Sequence, residues 1–125
     1  MKRWLLCCAL LLSTSAQAQS KQAPVKCVLD SYNPLELLAC QKQEMGVAFD
    51  QMTKAYIRLN QVAPAEARPA LADSQVKWAA YRDASCKAIA ASPLNKAMPG
   101  VAHGTCLLDM TQARKAWLIQ SLDAF

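Results

Sequence analysis

The residues of this chain able to do chemistry are few: one histidine, His103, six cysteines, and nine carboxylates set among fourteen Lys and Arg. A nucleophilic mechanism needs His103 beside a serine or a free cysteine, and no G-x-S-x-G turn is present to expose a serine. Glu44 with Asp50, or Asp73 with Asp83, could supply paired carboxylates for acid–base work. Their spacing fits solvated helix faces better. A metal centre is also unsupported, since there is no C-x-x-C pair and a single imidazole. The expectation is a protein with no catalytic group, no metal and no cofactor. The remaining reactive atoms are sulfurs, and what they do depends on the compartment.

That compartment is indicated by the first eighteen residues. Lys2 and Arg3 are followed by the apolar run Trp4 to Leu12 and then by Ala16-Gln17-Ala18, the pattern of a secretory signal peptide cut after Ala18. The run is about nine residues, whereas a bilayer span needs roughly twenty. Cleavage leaves no stable membrane anchor. It also removes Cys7 and Cys8, and no cysteine stands at the cut to carry a lipid. The mature chain keeps 107 of the 125 residues, with twelve Lys and Arg against nine Asp and Glu, a formal charge of +3. The cations are dispersed, so nucleic acid is not an expected partner. A periplasmic or secreted location follows.

In an oxidising compartment Cys27, Cys40, Cys86 and Cys106 read as two disulfides bracing a domain too small to rely on its core alone. Four cysteines allow three connectivities. Local pairing, Cys27 with Cys40 and Cys86 with Cys106, is preferred: the first two bracket a short segment containing Pro34, and the others flank a loop between helical patterns.

The elements that position these residues are helical. An extended N-terminal segment over 19–33 precedes Asn33-Pro34-Leu35-Glu36, where a capping side chain, an N1 proline and a first-turn acid predict a helix start. Met45, Phe49, Met52, Tyr56 and Leu59 then follow at helical spacing, with Gly46 a candidate break. Pro64 and Pro69 mark a turn over 60–69. A second helix carries Leu71, Gln75, Trp78, Arg82, Ser85 and Ile89. Pro93, Pro99, Gly100 and Gly104 predict a loop from Ser92 to Thr105. The last helix is expected from Cys106 to about Leu122, with Asp109 near its positive end. The fold class is therefore all-α, a small antiparallel bundle of three to four helices with two disulfides, occupying 34–125.

Polar residues on the inward stripe stand out. Gln75 and Arg82 flank Trp78 by a turn on either side, and Thr111 and Arg114 hold matching places on the last helix. A buried guanidinium needs a partner, so each arginine should pair with a carboxylate, Asp83, Asp50 and Asp109 being the candidates, or open onto a cleft. The cluster reads as a register-fixing network first and as a ligand site second. Trp78, Tyr81, Tyr56, Phe49 and Trp117 are expected in the core.

Taken together, Leu71-(x3)-Gln75-(x2)-Trp78-(x2)-Tyr81-Arg82-Asp83-(x2)-Cys86 and the later Cys106-(x4)-Thr111-(x2)-Arg114-(x3)-Leu118 resemble the lysozyme inhibitor LprI-like N-terminal domain family. Upstream, Cys40 and Met52-Thr53-Lys54-Ala55-Tyr56 are similar to that family's Cys and Leu-Asn-x-x-Tyr positions, with Thr53 where asparagine is usual. The likeness covers nearly the whole mature chain. It implies a small exported helical protein with disulfides and, for some members, inhibition of lysozyme.

Three functions fit these residues. The first is a binding protein that blocks a lysozyme or another peptidoglycan hydrolase by presenting a rigid loop, with Asn95, Lys96, Met98, His103 and Gly104 as the candidate contacts. A charge of +3 offers no long-range attraction to a basic lysozyme, so local contacts must carry that binding. The second is an immunity protein against a toxin amidase delivered to the periplasm. The third is an envelope protein, structural or holding a small anionic ligand at the arginine cluster.

Overall fold

The computed structural model describes Cys27, Leu29 and residues 31–125. The expected leader over 1–18, its cut after Ala18 and residues 19–26 lie outside the described residues. The element order is α1 (Pro34–Val62), α2 (Arg68–Ala90), a 3-10 turn (Pro93–Asn95), α3 (Pro99–Gln120) and a final 3-10 turn (Ser121–Ala124). No helix among the described residues is long and apolar enough to cross a membrane.

The start of α1 follows the sequence reading. Asn33 Oδ1 accepts from the Leu35 N–H at 3.0 Å, satisfying one of the orphan donors of the first turn, and Pro34 occupies N1. Ser31 Oγ donates to Glu36 at 2.9 Å and accepts from the Asn33 N–H at 3.1 Å, which fixes the entry of the chain. The helix ends where Ala63 turns to an extended conformation ahead of Pro64. Arg68 Nε then donates to the Ala63 carbonyl at 3.1 Å, satisfying an acceptor in the turn before α2.

Two expectations about element boundaries are corrected. Gly46 does not break α1, which runs unbroken for 29 residues. Packing of Cys40 and Gln41 before it, and of Ala48 and Met52 after it, holds the helix through the weak position. The stretch from Ser92 to Thr105 is not one loop, because α3 begins at Pro99. Pro99 starts that helix as an N1 proline, and Gly100 and Gly104 lie inside it. His103, Gly104 and Thr105 are therefore helical, and Asp109 sits in the middle of α3 instead of near its positive end.

The chain runs up, down and up. Gln41 lies across from Thr105 and Gln51 across from Lys115, so α1 and α3 are parallel at a steady offset. Cys86 meets Cys106 while Gln75 meets Arg114, so α2 is antiparallel to α3. The third helix is the shared wall: both others pack on it and scarcely touch each other through their backbones. Met52, Ala55, Leu59 and Leu118 form the buried cluster, with Tyr56, Leu71, Trp78 and Leu122 packed around it.

Both disulfides adopt the local pairing. Cys27–Cys40 straps the N-terminal segment to the second turn of α1, with 5.0 Å between Cα atoms, and Cys86–Cys106 joins the end of α2 to α3 at 5.4 Å. Bridges closing loops of this size contribute about 2–4 kcal/mol each. The aromatic expectation holds only in part. Trp78 and Tyr56 are half-buried against the core, but Tyr81, Phe49 and Trp117 are exposed. Helical spacing places a residue on a face without saying how far round that face the neighbouring helix reaches.

Candidate functional site

The polar cluster predicted from sequence is brought together at the seam of α2 and α3, where it forms a ladder of guanidinium and indole groups. The Arg82 Cζ lies 5.0 Å and the Arg114 Cζ 5.6 Å from the Trp78 ring centroid, and Arg114 also covers Trp117 at 4.4 Å. Each such contact is worth about 0.5–2 kcal/mol, more as water is excluded. Trp117, exposed though it is, thus has a structural partner.

The polar edges of the guanidinium groups are met separately. Arg82 Nη2 pairs with Asp83 Oδ1 at 2.7 Å, and its Nη1 donates to Thr111 Oγ1 at 3.4 Å. Asp83 is therefore the one expected carboxylate partner that is realised. Asp50 pairs with Lys54, while Asp109 makes no ion pair among the described residues. Arg114 takes no carboxylate there either. Its Nε donates to Gln75 Oε1 at 3.0 Å and its Nη2 to Ser74 Oγ at 3.1 Å. Burial without a counter-charge pushes the Arg114 guanidinium below its ordinary pKa, through desolvation. Two neutral acceptors and two indole rings offset that cost. Gln75 completes the chain of contacts through Nε2, which lies 3.7 Å from Met52 Sδ on α1.

The carboxylate pairs considered for acid–base work are surface features. Asp50 and Asp73 are each held by a lysine one turn on, at 2.7 Å, with all four side chains well exposed. Among the described residues no group of three or more His, Cys, Asp and Glu could hold a metal ion.

The five loop candidates divide between two places. Asn95, Lys96 and Met98 lie on the connector between α2 and α3, where Asn95 Nδ2 donates to the Ile89 carbonyl at 2.8 Å and pins the connector to the end of α2. Leu94 is beside them and 93% exposed, a feature sequence reasoning missed because a single apolar residue in a Pro-containing stretch looks ordinary. His103 and Gly104 instead line a groove between α1 and α3.

Also missed was Gln41, which lies in the polar run Gln41-Lys42-Gln43-Glu44 yet is only 5% exposed. Its Nε2 donates to Thr105 Oγ1 at 2.7 Å and to the Val101 carbonyl at 3.3 Å. Its Oε1 is buried with no hydrogen-bond partner and presses on Gly104, where a Cβ would collide with it. A glycine facing a neighbouring helix was the available signal.

These observations define a small disulfide-braced helical protein whose polar cluster is largely satisfied from within. The family model described as lysozyme inhibitor LprI matches residues 15–118, well over half of the chain and including both disulfides. The protein belongs to the lysozyme inhibitor LprI family. No curated protein and no solved structure matches it.

Proposed function

We propose that the protein is exported, with its leader cut after Ala18 and residues 34–125 as the working domain, and that it binds and blocks a lysozyme-type peptidoglycan hydrolase. Membership of a family of lysozyme inhibitors carries this reading. The connector between α2 and α3 is the contact surface we favour. It is braced by the Cys86–Cys106 bridge and by Asn95 on Ile89, and it offers Leu94 as an apolar tip beside Lys96 and Met98. Ordering of the connector before encounter lowers the entropy lost on binding, which suits a small surface with no net-charge steering.

The test is to add the mature, oxidised protein to lysozyme acting on cell walls. Loss of turnover at near-stoichiometric protein is expected, and the Leu94→Asp variant should weaken it by at least about tenfold while leaving the thermal midpoint unchanged. Undiminished lysozyme activity at large molar excess removes the reading for that enzyme.

A further inference from the structure

The two disulfides stand in unlike surroundings. Cys86 is fully buried and Cys106 only 9% exposed, and Met110 Sδ packs on their sulfurs at 3.7 Å and 3.9 Å. That bridge ties two helices together, through the one buried residue of α2. A sulfur sealed in this way can be attacked only after the α2 seam opens. The other bridge lies at the edge of the fold. Cys40 is 6% exposed, but Cys27 is only half-buried, so this bridge can be approached from its Cys27 side.

What Cys27–Cys40 holds is also separable from the helices. The start of α1 has its own fixings, the Asn33 side chain on the Leu35 N–H and Ser31 between Glu36 and the Asn33 N–H. None of them passes through the bridge. Ahead of them Leu29, half-exposed, stands beside Leu37, Gln41, Thr105 and Leu108 on the α1/α3 seam. Burial of half a leucine is a weak anchor next to a covalent bond.

We propose that Cys27–Cys40 is a redox-labile clip. A dithiol reductant opens it while the three helices and Cys86–Cys106 stay intact, and opening frees Leu29 from the seam where Gln41 meets Thr105. The step is thiol–disulfide exchange. A thiolate of the reductant attacks Cys27 Sγ, the bond to Cys40 Sγ breaks as the mixed disulfide forms, and Cys40 leaves as a thiolate that takes a proton from water. The reductant's second thiolate then displaces Cys27 Sγ, which is protonated in turn, and the reductant departs as its own disulfide. Two electrons pass to the protein. The clip does not depend on hydrolase inhibition, and either can fail without the other.

The probe is dithiothreitol, added in increasing concentration to the mature, oxidised protein, with free thiols alkylated and located by peptide mass. Cys27 and Cys40 should be labelled together, at least about tenfold faster than Cys86 and Cys106. The far-ultraviolet circular dichroism of the partly reduced protein should be unchanged, while the backbone amide resonances of Leu37, Thr105 and Leu108 shift. A variant with Cys27→Ser and Cys40→Ser has the clip permanently open. It should fold with the same helical signal, and its remaining bridge should still resist the dithiothreitol that opens the clip in the wild type. Equal rates for the two bridges, earlier opening of Cys86–Cys106, loss of helix in the reduced or variant protein, or unmoved seam resonances overturns the proposal.

Discussion

The two seams that α3 makes are held in different ways. Against α1 it buries mainly apolar groups: of the six buried residues of α1 all but Gln41 are apolar, and Met52, Ala55 and Leu59 close on Leu118. Against α2 it has little to bury, for Cys86 is the one buried residue of that helix. What replaces apolar area there is a covalent bridge together with the Arg82–Trp78–Arg114–Trp117 ladder and its polar edges. Apolar burial stabilises in proportion to area and tolerates local adjustment, whereas a stack of planar groups depends on geometry. The α2 seam should therefore be the more sensitive to single changes of chemistry, and the first to open.

The largest test of that contrast is removal of the bridge at the α2 seam. Cys86→Ala with Cys106→Ala should lower the unfolding free energy in urea by about 2–4 kcal/mol. Hydrogen exchange should then show α2 amides losing protection before those of α1. Equal loss along both helices would show that the seams are not independent.

A smaller effect is expected from Arg114. Changing it to Gln removes the cation over both indoles and leaves Gln75 Oε1 short of a donor, at a cost of about 1–3 kcal/mol. The Arg114→Lys variant sharpens the point. It keeps the charge but loses the planar fork that reaches Gln75 and Ser74 together, so it should recover less than half of the loss. If lysine restores wild-type stability, charge and not planar stacking holds the seam.

Much of this arrangement is legible in the residues themselves. The spacing of Met52, Tyr56 and Leu59, of Gln75, Trp78 and Arg82, and of Thr111, Arg114 and Leu118 gives three helices, and Asn33-Pro34 marks the first start to the residue. Local cysteine pairing is only a preference among three connectivities, drawn from the short segment between Cys27 and Cys40 and the loop flanked by Cys86 and Cys106, and it is the pairing the structure shows. The start of α3 was hidden because Pro99, Gly100 and Gly104 carry the same letters as a loop. Only the neighbouring Gln41 explains why a glycine serves inside a helix there. Arg114 was expected to need a carboxylate or a cleft, but amide and hydroxyl acceptors with two aromatic faces satisfy it, and that combination is assembled across a seam no local pattern describes. The exposure of Tyr81, Phe49 and Trp117 was hidden for a related reason, since how much of a helix face is covered depends on how far its neighbour extends.

The smallest effect, and the one whose sign decides most, concerns Gly104 on the α1 seam. Alanine inside a helix is ordinarily worth roughly 1 kcal/mol over glycine. At this position the added methyl lands on Gln41 Oε1, so the amide must swing away and give up Thr105 Oγ1 and the Val101 carbonyl. The helix gain and the lost contacts oppose each other, and Gly104→Ala should destabilise by about 1 kcal/mol net. In a Gln41→Ala background the obstacle is gone and the same change should stabilise by about 1 kcal/mol, a coupling within the usual range for touching residues. Urea unfolding of the four proteins of this cycle measures it directly. Additive effects would mean that Gln41 yields freely, and that the polar contact of the α1 seam lacks the geometric stiffness found in the ladder of α2.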